Sequence, residues 1–341
     1  MSDMAGRRTD YYLIERIFNK MSSSVSIALM KRDRLCYEFY GGKYFNSENS
    51  DIRISRITRF NIGTATMPIT GSLVVKLMEF GEVRLNDEVR RFLPEFKFPD
   101  ITIFNLLTHT SGLYFTDLQQ PHDYNSKKDF YRQLYNVRAL SYKTGAESRL
   151  FPYGYAILAD IIEGVTGQSL EEFASAILFL PLGMKSTTYS GTLLKDGQFI
   201  VPWSHKENRF LHELKSCLST GFSGIYSTVL DLIRFGHMFL SGGEVNGRQV
   251  FLESSIDFML REITNGRFMR TPIFMINSKN NKYDFFSGNQ SSLTVAHTGD
   301  TGSLFYIDPS GRSVGAALTN STWVNDSSSN YGSICEILSA M

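Results

Sequence analysis

Two hydroxyls, Thr64 and Thr66, stand just ahead of a run whose apolar residues Ile69, Leu73, Leu77 and Phe80 recur every three or four positions. Pro68 suits a first helical turn and Gly81 a stop, so the spacing predicts a buried amphipathic helix from Met67 to Phe80 with Thr64 at or near its start. A hydroxyl in that place meets the positive end of the helix dipole and unpaired backbone N–H groups, both of which favour a negatively charged oxygen. That is where an acyl-transfer enzyme would put a nucleophile. The plainer reading is that Thr64 or Thr66 caps the helix, as threonine commonly does. The six histidines show no metal-ligand spacing and no Gly-rich phosphate loop follows a strand, so neither a metal nor a cofactor is expected.

The elements around this helix fall into an order. Tyr11 to Met21 reads as a short amphipathic helix. Ser24 to Met30 and Leu35 to Phe45 are β-rich, joined by the polar turn Lys31-Arg32-Asp33-Arg34. From Thr64 the pattern turns helical for about two hundred residues, over Met67 to Phe80, Ile103 to Thr108, Lys127 to Ala139, Gly154 to Val165, Leu170 to Leu178, Thr228 to Leu240 and Ser254 to Arg261. Strand composition returns at Tyr283 to Ser287, Leu293 to His297, Ser303 to Ile307 and Ser313 to Thr319, with Asp308-Pro309-Ser310-Gly311 as a turn, and Tyr331 to Met341 closes as a helix.

At 341 residues and 42% hydrophobic content, the chain can bury a large core in one unit or two lobes. A formal net charge of +1 without blocks of like charge gives no reason to expect nucleic acid. The first 20 residues are interrupted by charges such as Asp3, Arg7 and Glu15, unlike a signal peptide, and no run of apolar residues is long enough to span a membrane. Three widely spaced cysteines, Cys36, Cys217 and Cys335, suit buried free thiols in a reducing compartment, so the expected location is cytoplasmic.

The segment Phe60 to Phe96, the stretch Ile101 to Leu113, Gly154 to Gly167, Ser219 to Gly236 and His297-Thr298-Gly299-Asp300-Thr301-Gly302 together resemble the serine β-lactamase family, in its branch of class C β-lactamases, D-Ala-D-Ala peptidases and esterases. The resemblance spans most of the chain. It implies an α+β fold of the β-lactamase/transpeptidase-like type: an antiparallel sheet flanked by terminal helices, with an inserted all-helical lobe. Residues 1–60 and 284–341 would form the sheet domain and 61–283 the lobe, with the cleft between them.

The catalytic letters depart from the pattern. Where the family has Ser-x-x-Lys this chain has Thr64-Ala65-Thr66-Met67, and where it has Tyr-x-Asn an ungapped count gives Leu150-Phe151-Pro152. Met67 stands at the base position, and a thioether cannot carry a proton at neutral pH. Leu150, at the tyrosine position, cannot ionise. Losing a positioned base typically costs about 100- to 10,000-fold in rate. Tyr153 is the preferred substitute base, with Tyr155, Lys143 and His297 as others. The third motif survives as His297-Thr298-Gly299. The resemblance implies that His297 and Thr298 bind a substrate carboxylate and that the backbone N–H of Asp300 pairs with that of Thr64 as an oxyanion hole. A carboxylate at Asp300 would oppose a developing anion if it turned inward. His109, in Thr108-His109-Thr110-Ser111-Gly112, falls in what the family uses as a helix-ending loop and reads as structural.

These readings lead to a family member without normal serine-hydrolase chemistry, its cleft kept for an acyl, peptide or other small-molecule ligand or for non-acyl-enzyme chemistry. An active cytoplasmic esterase, amidase or acyltransferase using Thr64, and a scaffold or interaction protein, are the alternatives.

Overall fold

In the computed structural model, the residues described are 24–45, 51–114, 126–136, 139–189, 194, 199–204, 206–211, 219–277, 286, 290–322, 334–335 and 338. The expected helix at Tyr11 to Met21, most of the expected strand at Tyr283 to Ser287, Cys217 and most of Tyr331 to Met341 lie outside them.

Seven strands form one antiparallel sheet. Their spatial order is Met275–Ile276, Val295–Gly299, Ser303–Asp308, Ser313–Thr319, Ser24–Lys31, Arg34–Phe45 and Asp51–Arg53. The first strand of the chain lies against the last, with Val25 opposite Thr319 and Lys31 opposite Ser313, so both ends of the sequence build one layer. The sheet takes in Met275–Ile276, ahead of the boundary at residue 284 drawn from the sequence.

Strand alternation divides the side chains between two cores. Ala28, Met30, Phe305, Ile307, Ala316 and Leu318 face the large cluster that contains the helices. Val25, Ile27, Leu29, Leu304, Tyr306 and Ala317 face the other way, against Ile334, Cys335 and Leu338. The helix Val229–Leu240, capped by the Thr228 side chain, lies on the first face. Gly236 permits this approach, since a Cβ there would stand 2.4 Å from a Val314 methyl.

The helix Met67–Glu79 is buried on nearly every side, including Ile69, Leu73, Val74 and Leu77. It packs across Tyr153–Thr166, with Gly71 closed over by Ile273. The helix from Lys127 ends at Tyr135, and the one from Leu170 passes through a π-turn at Ser175–Phe179 before stopping at Gly183, where φ is +68°. Short strand pairs also occur in the lobe, among them Arg59–Asn61 with Phe199–Ile200 and Tyr226–Ser227.

Candidate functional site

Thr64 lies in a single 3-10 turn, Gly63–Thr66, that leads into the Met67–Glu79 helix. The turn is fixed from both sides. Asn61 Oδ1 accepts from the Gly63 N–H at 2.9 Å, and the Thr301 hydroxyl donates to the Asn61 carbonyl at 2.7 Å. Gly299, at the end of its strand, passes so close to the turn that a Cβ there would lie 2.1 Å from the Ile62 carbonyl oxygen. The strand end and the Gly63–Thr66 turn are thereby in direct contact.

The Thr64 hydroxyl donates to the Thr298 carbonyl at 3.3 Å and accepts from the Asp300 N–H at 3.3 Å. The Thr64 N–H donates to Asp300 Oδ1 at 2.8 Å. Both backbone donors expected to form an oxyanion hole are therefore engaged by the chain's own oxygens. The carboxylate of Asp300 occupies one of them and the Thr64 hydroxyl the other.

Asp300 as a residue is exposed, yet its carboxyl is turned in against the Gly63–Thr64 peptide. Gly63, with φ +53°, leaves room for it, because a Cβ at that position would sit 2.1 Å from Asp300 Oδ1. Desolvation pushes the carboxyl above the usual aspartate range, while the Thr64 and Asp300 N–H groups and the Thr64 side chain favour its ionised form. Desolvation wins.

No lysine, tyrosine or histidine side chain bonds the Thr64 hydroxyl among the described residues. Met67 is fully buried in the core. Leu150 is 48% exposed, and the adjoining Phe151 is buried. The Tyr153 ring packs among Phe130, Phe151 and Phe222, at centroid distances of 6.0, 5.5 and 5.1 Å. Tyr155 is buried under the stacked ring of His109, with its hydroxyl directed to the Leu107 and Pro272 carbonyls. Lys143 is exposed.

His297 departs from its expected role. Its ring is buried and its Nδ1 lies 2.7 Å from the adjoining Thr298 carbonyl. Burial, reinforced by the positive charge of Arg270, lowers its pKa to about 4, so it is neutral at neutral pH and offers no cation to a ligand carboxylate. Thr298 is half-buried, and no described residue bonds its hydroxyl.

Arg270 escaped the sequence reading, and His109, read there as structural, makes contacts that the sequence does not mark. Arg270, 4% exposed, is a buried cation close enough to His109 and His297 to hold both rings neutral alongside desolvation. His109 adopts φ +56° and its Nδ1 lies 3.3 Å from both the Phe151 N and O, tying its loop to the Phe151 peptide. The Asn61-x-Gly63 pattern is a legible signal for the turn that holds Thr64, whereas nothing local marks Arg270.

Among the described residues no group of His, Cys, Asp and Glu could hold a metal ion. No helix there is long and apolar enough to cross a membrane.

Comparison with known proteins agrees with this architecture. A protein of Salmonella typhimurium, provisionally named a D-alanyl-D-alanine carboxypeptidase, is 24% identical over 297 residues, covering 76% of this chain and 68% of its own. A class C β-lactamase solved with cefoxitin superposes with a TM-score of 0.79 at 17% identity, covering all of both chains. EstCE1, a hydrolase with promiscuous acyltransferase activity, gives 0.78 at 16% identity over 97% of this chain and 99% of the other. At these identities the structures establish the fold alone. The β-lactamase family model matches residues 14–330, nearly the whole length, and the chain belongs to that family.

Proposed function

We propose that this family member lacks normal serine-hydrolase activity and uses the inherited cleft to bind an acyl, peptide or other small-molecule ligand. One observation carries the reading: among the described residues no lysine, tyrosine or histidine side chain bonds the Thr64 hydroxyl, and the Asp300 carboxylate takes the Thr64 N–H that a substrate oxygen would need. Nucleophilic attack needs a group that takes the hydroxyl proton and donors that receive the new oxyanion. The engaged donors and the missing lysine, tyrosine or histidine partner support the reading that neither is supplied in the usual way. Thr298, whose hydroxyl has no described partner, is the group left to donate to a ligand. We read the protein as cytoplasmic, acting on small molecules and not on nucleic acid or membranes. The free thiols Cys36 and Cys335 support that setting.

The test is a thermal-shift screen of penicillins, D-Ala-D-Ala peptides and short acyl esters. A true ligand at about 100 times its dissociation constant stabilises by about 2.7 kcal/mol, and Thr298→Val weakens that stabilisation. A screen in which nothing stabilises the protein favours the scaffold alternative.

A second reading has one observation in its favour. The Asp300 carboxyl, with its pKa raised by desolvation, lies against the Thr64 side chain and is a stronger base than an ordinary aspartate. In an esterase or acyltransferase of this kind, that carboxyl would have to leave the Thr64 N–H before an acyl oxygen could occupy it. The geometry favours the binding reading for that reason.

A further inference from the structure

The opposite end of the sheet presents a different chemistry. A cavity of about 690 Å³ opens between the turn joining Ser24–Lys31 to Arg34–Phe45 and the turn joining Ser303–Asp308 to Ser313–Thr319. It lies on the sheet face shared by Leu29 and Tyr306, away from the helical lobe. Along the Ser303–Asp308 strand it is about 17 Å from the end nearest Thr64, at about 3.4 Å per residue.

Cross-strand register places Arg34 opposite Lys31, Lys31 opposite Ser313, and Ser313 opposite Asp308. Side chains so paired share a face with Cβ atoms about 4.5–5.5 Å apart, and two like charges in that relation repel. Lys31 and Arg34 are such a pair, and with Arg32 they line the cavity.

None of the three makes an ion pair with a carboxylate among the described residues, and the carboxylate in the cavity lining, Asp308, is held by other groups. Asp33 is taken by Arg312 at 2.9 Å and by His237 at 3.1 Å. Asp308 is taken by the Ser291 hydroxyl at 2.6 Å and by the N–H groups of Ser291 and Gly311 at 3.1 and 3.0 Å. The buried Tyr306 ring forms a rigid wall, lying so close over Gly315 that a Cβ there would be 2.2 Å from it.

We infer that this cavity is a binding site for a small polyanion, a diphosphate or a multiply carboxylated molecule whose paired charges bridge Lys31 and Arg34. An anion between the two side chains converts their mutual repulsion into two attractions. Cys36 supplies a reporter. Leu29 pairs with Tyr37 and Met30 with Leu35, so Cys36 is the extra residue of a bulge, exposed and part of the cavity lining.

The experiment follows alkylation of Cys36 in the full chain by neutral N-ethylmaleimide, read on the Cys36 peptide by mass spectrometry, during titration with inorganic pyrophosphate or citrate. The expected result is saturable protection by at least one of the two, about tenfold at ten times its half-saturating concentration. The more effective anion distinguishes phosphate from carboxylate ligands. Protection drops in Lys31→Gln and in Arg34→Gln and vanishes when both are combined. Absence of protection by either anion, or protection unchanged in the double variant, overturns the assignment.

Discussion

Installing the missing catalytic groups should fail unless Asp300 is also removed. Thr64→Ser with Met67→Lys restores the hydroxyl and the amine of the family's first motif, three positions apart at the head of the helix. In the structure, however, the Thr64 N–H is already bonded to Asp300 Oδ1 at 2.8 Å. Loss of one oxyanion-hole donor typically costs about 2.7–4 kcal/mol, or 100- to 1,000-fold in rate. A carboxylate about 3 Å from the new oxyanion adds repulsion of about 5 kcal/mol at an effective dielectric of about 20. The double variant should therefore hydrolyse p-nitrophenyl acetate no faster than buffer. Adding Asp300→Ser keeps the backbone N–H and removes the charge, and it should raise the rate at least about 100-fold over the double variant. With all variants shown to be folded by circular dichroism, a double variant as fast as the triple would refute the argument, because Asp300 could not then be occupying the hole in solution.

Two further outcomes follow from the same region. His297, buried and neutral with a pKa near 4 against an ordinary value of 6.5, takes up its proton more readily when the chain unfolds. Stability is thus full above about pH 6.5 and falls by about 3 kcal/mol as pH drops towards 4. Urea midpoints measured across that range should show the loss, and His297→Asn should make it smaller, leaving the part that the buried His109 carries. An unchanged slope in the variant would place the titration elsewhere. Gly299→Ala drives a methyl group to within 2.1 Å of the Ile62 carbonyl oxygen and should destabilise by about 1–3 kcal/mol. A denaturation midpoint equal to that of the wild type would show that the strand end does not press on the turn.

Much of the frame is readable from local pattern. The strand Ser313–Thr319 and the helix Met67–Glu79 agree with their predicted spans to within a residue, because period-2 and period-3.6 patterning and flanking Gly and Pro act locally. The helix from Lys127 stops at Tyr135, four residues before its predicted end at Ala139. The site was legible in its letters and illegible in its contacts. That Thr64 lacks an amine three positions on is plain from Met67. That Asp300 turns inward depends on Gly63 at positive φ, more than two hundred residues away in sequence, and no local signal reports it. His297 was expected to face a ligand, but its ring is buried near Arg270, a pairing set by tertiary packing alone.

The most direct test is the intact mass of the wild-type protein after prolonged exposure to nitrocefin, a penicillin and a p-nitrophenyl ester. With a hydroxyl that no described lysine, tyrosine or histidine side chain reaches and both backbone N–H groups already engaged, the mass should remain that of the unmodified chain. A covalent acyl adduct mapped to Thr64, and lost in Thr64→Ala, would contradict the account.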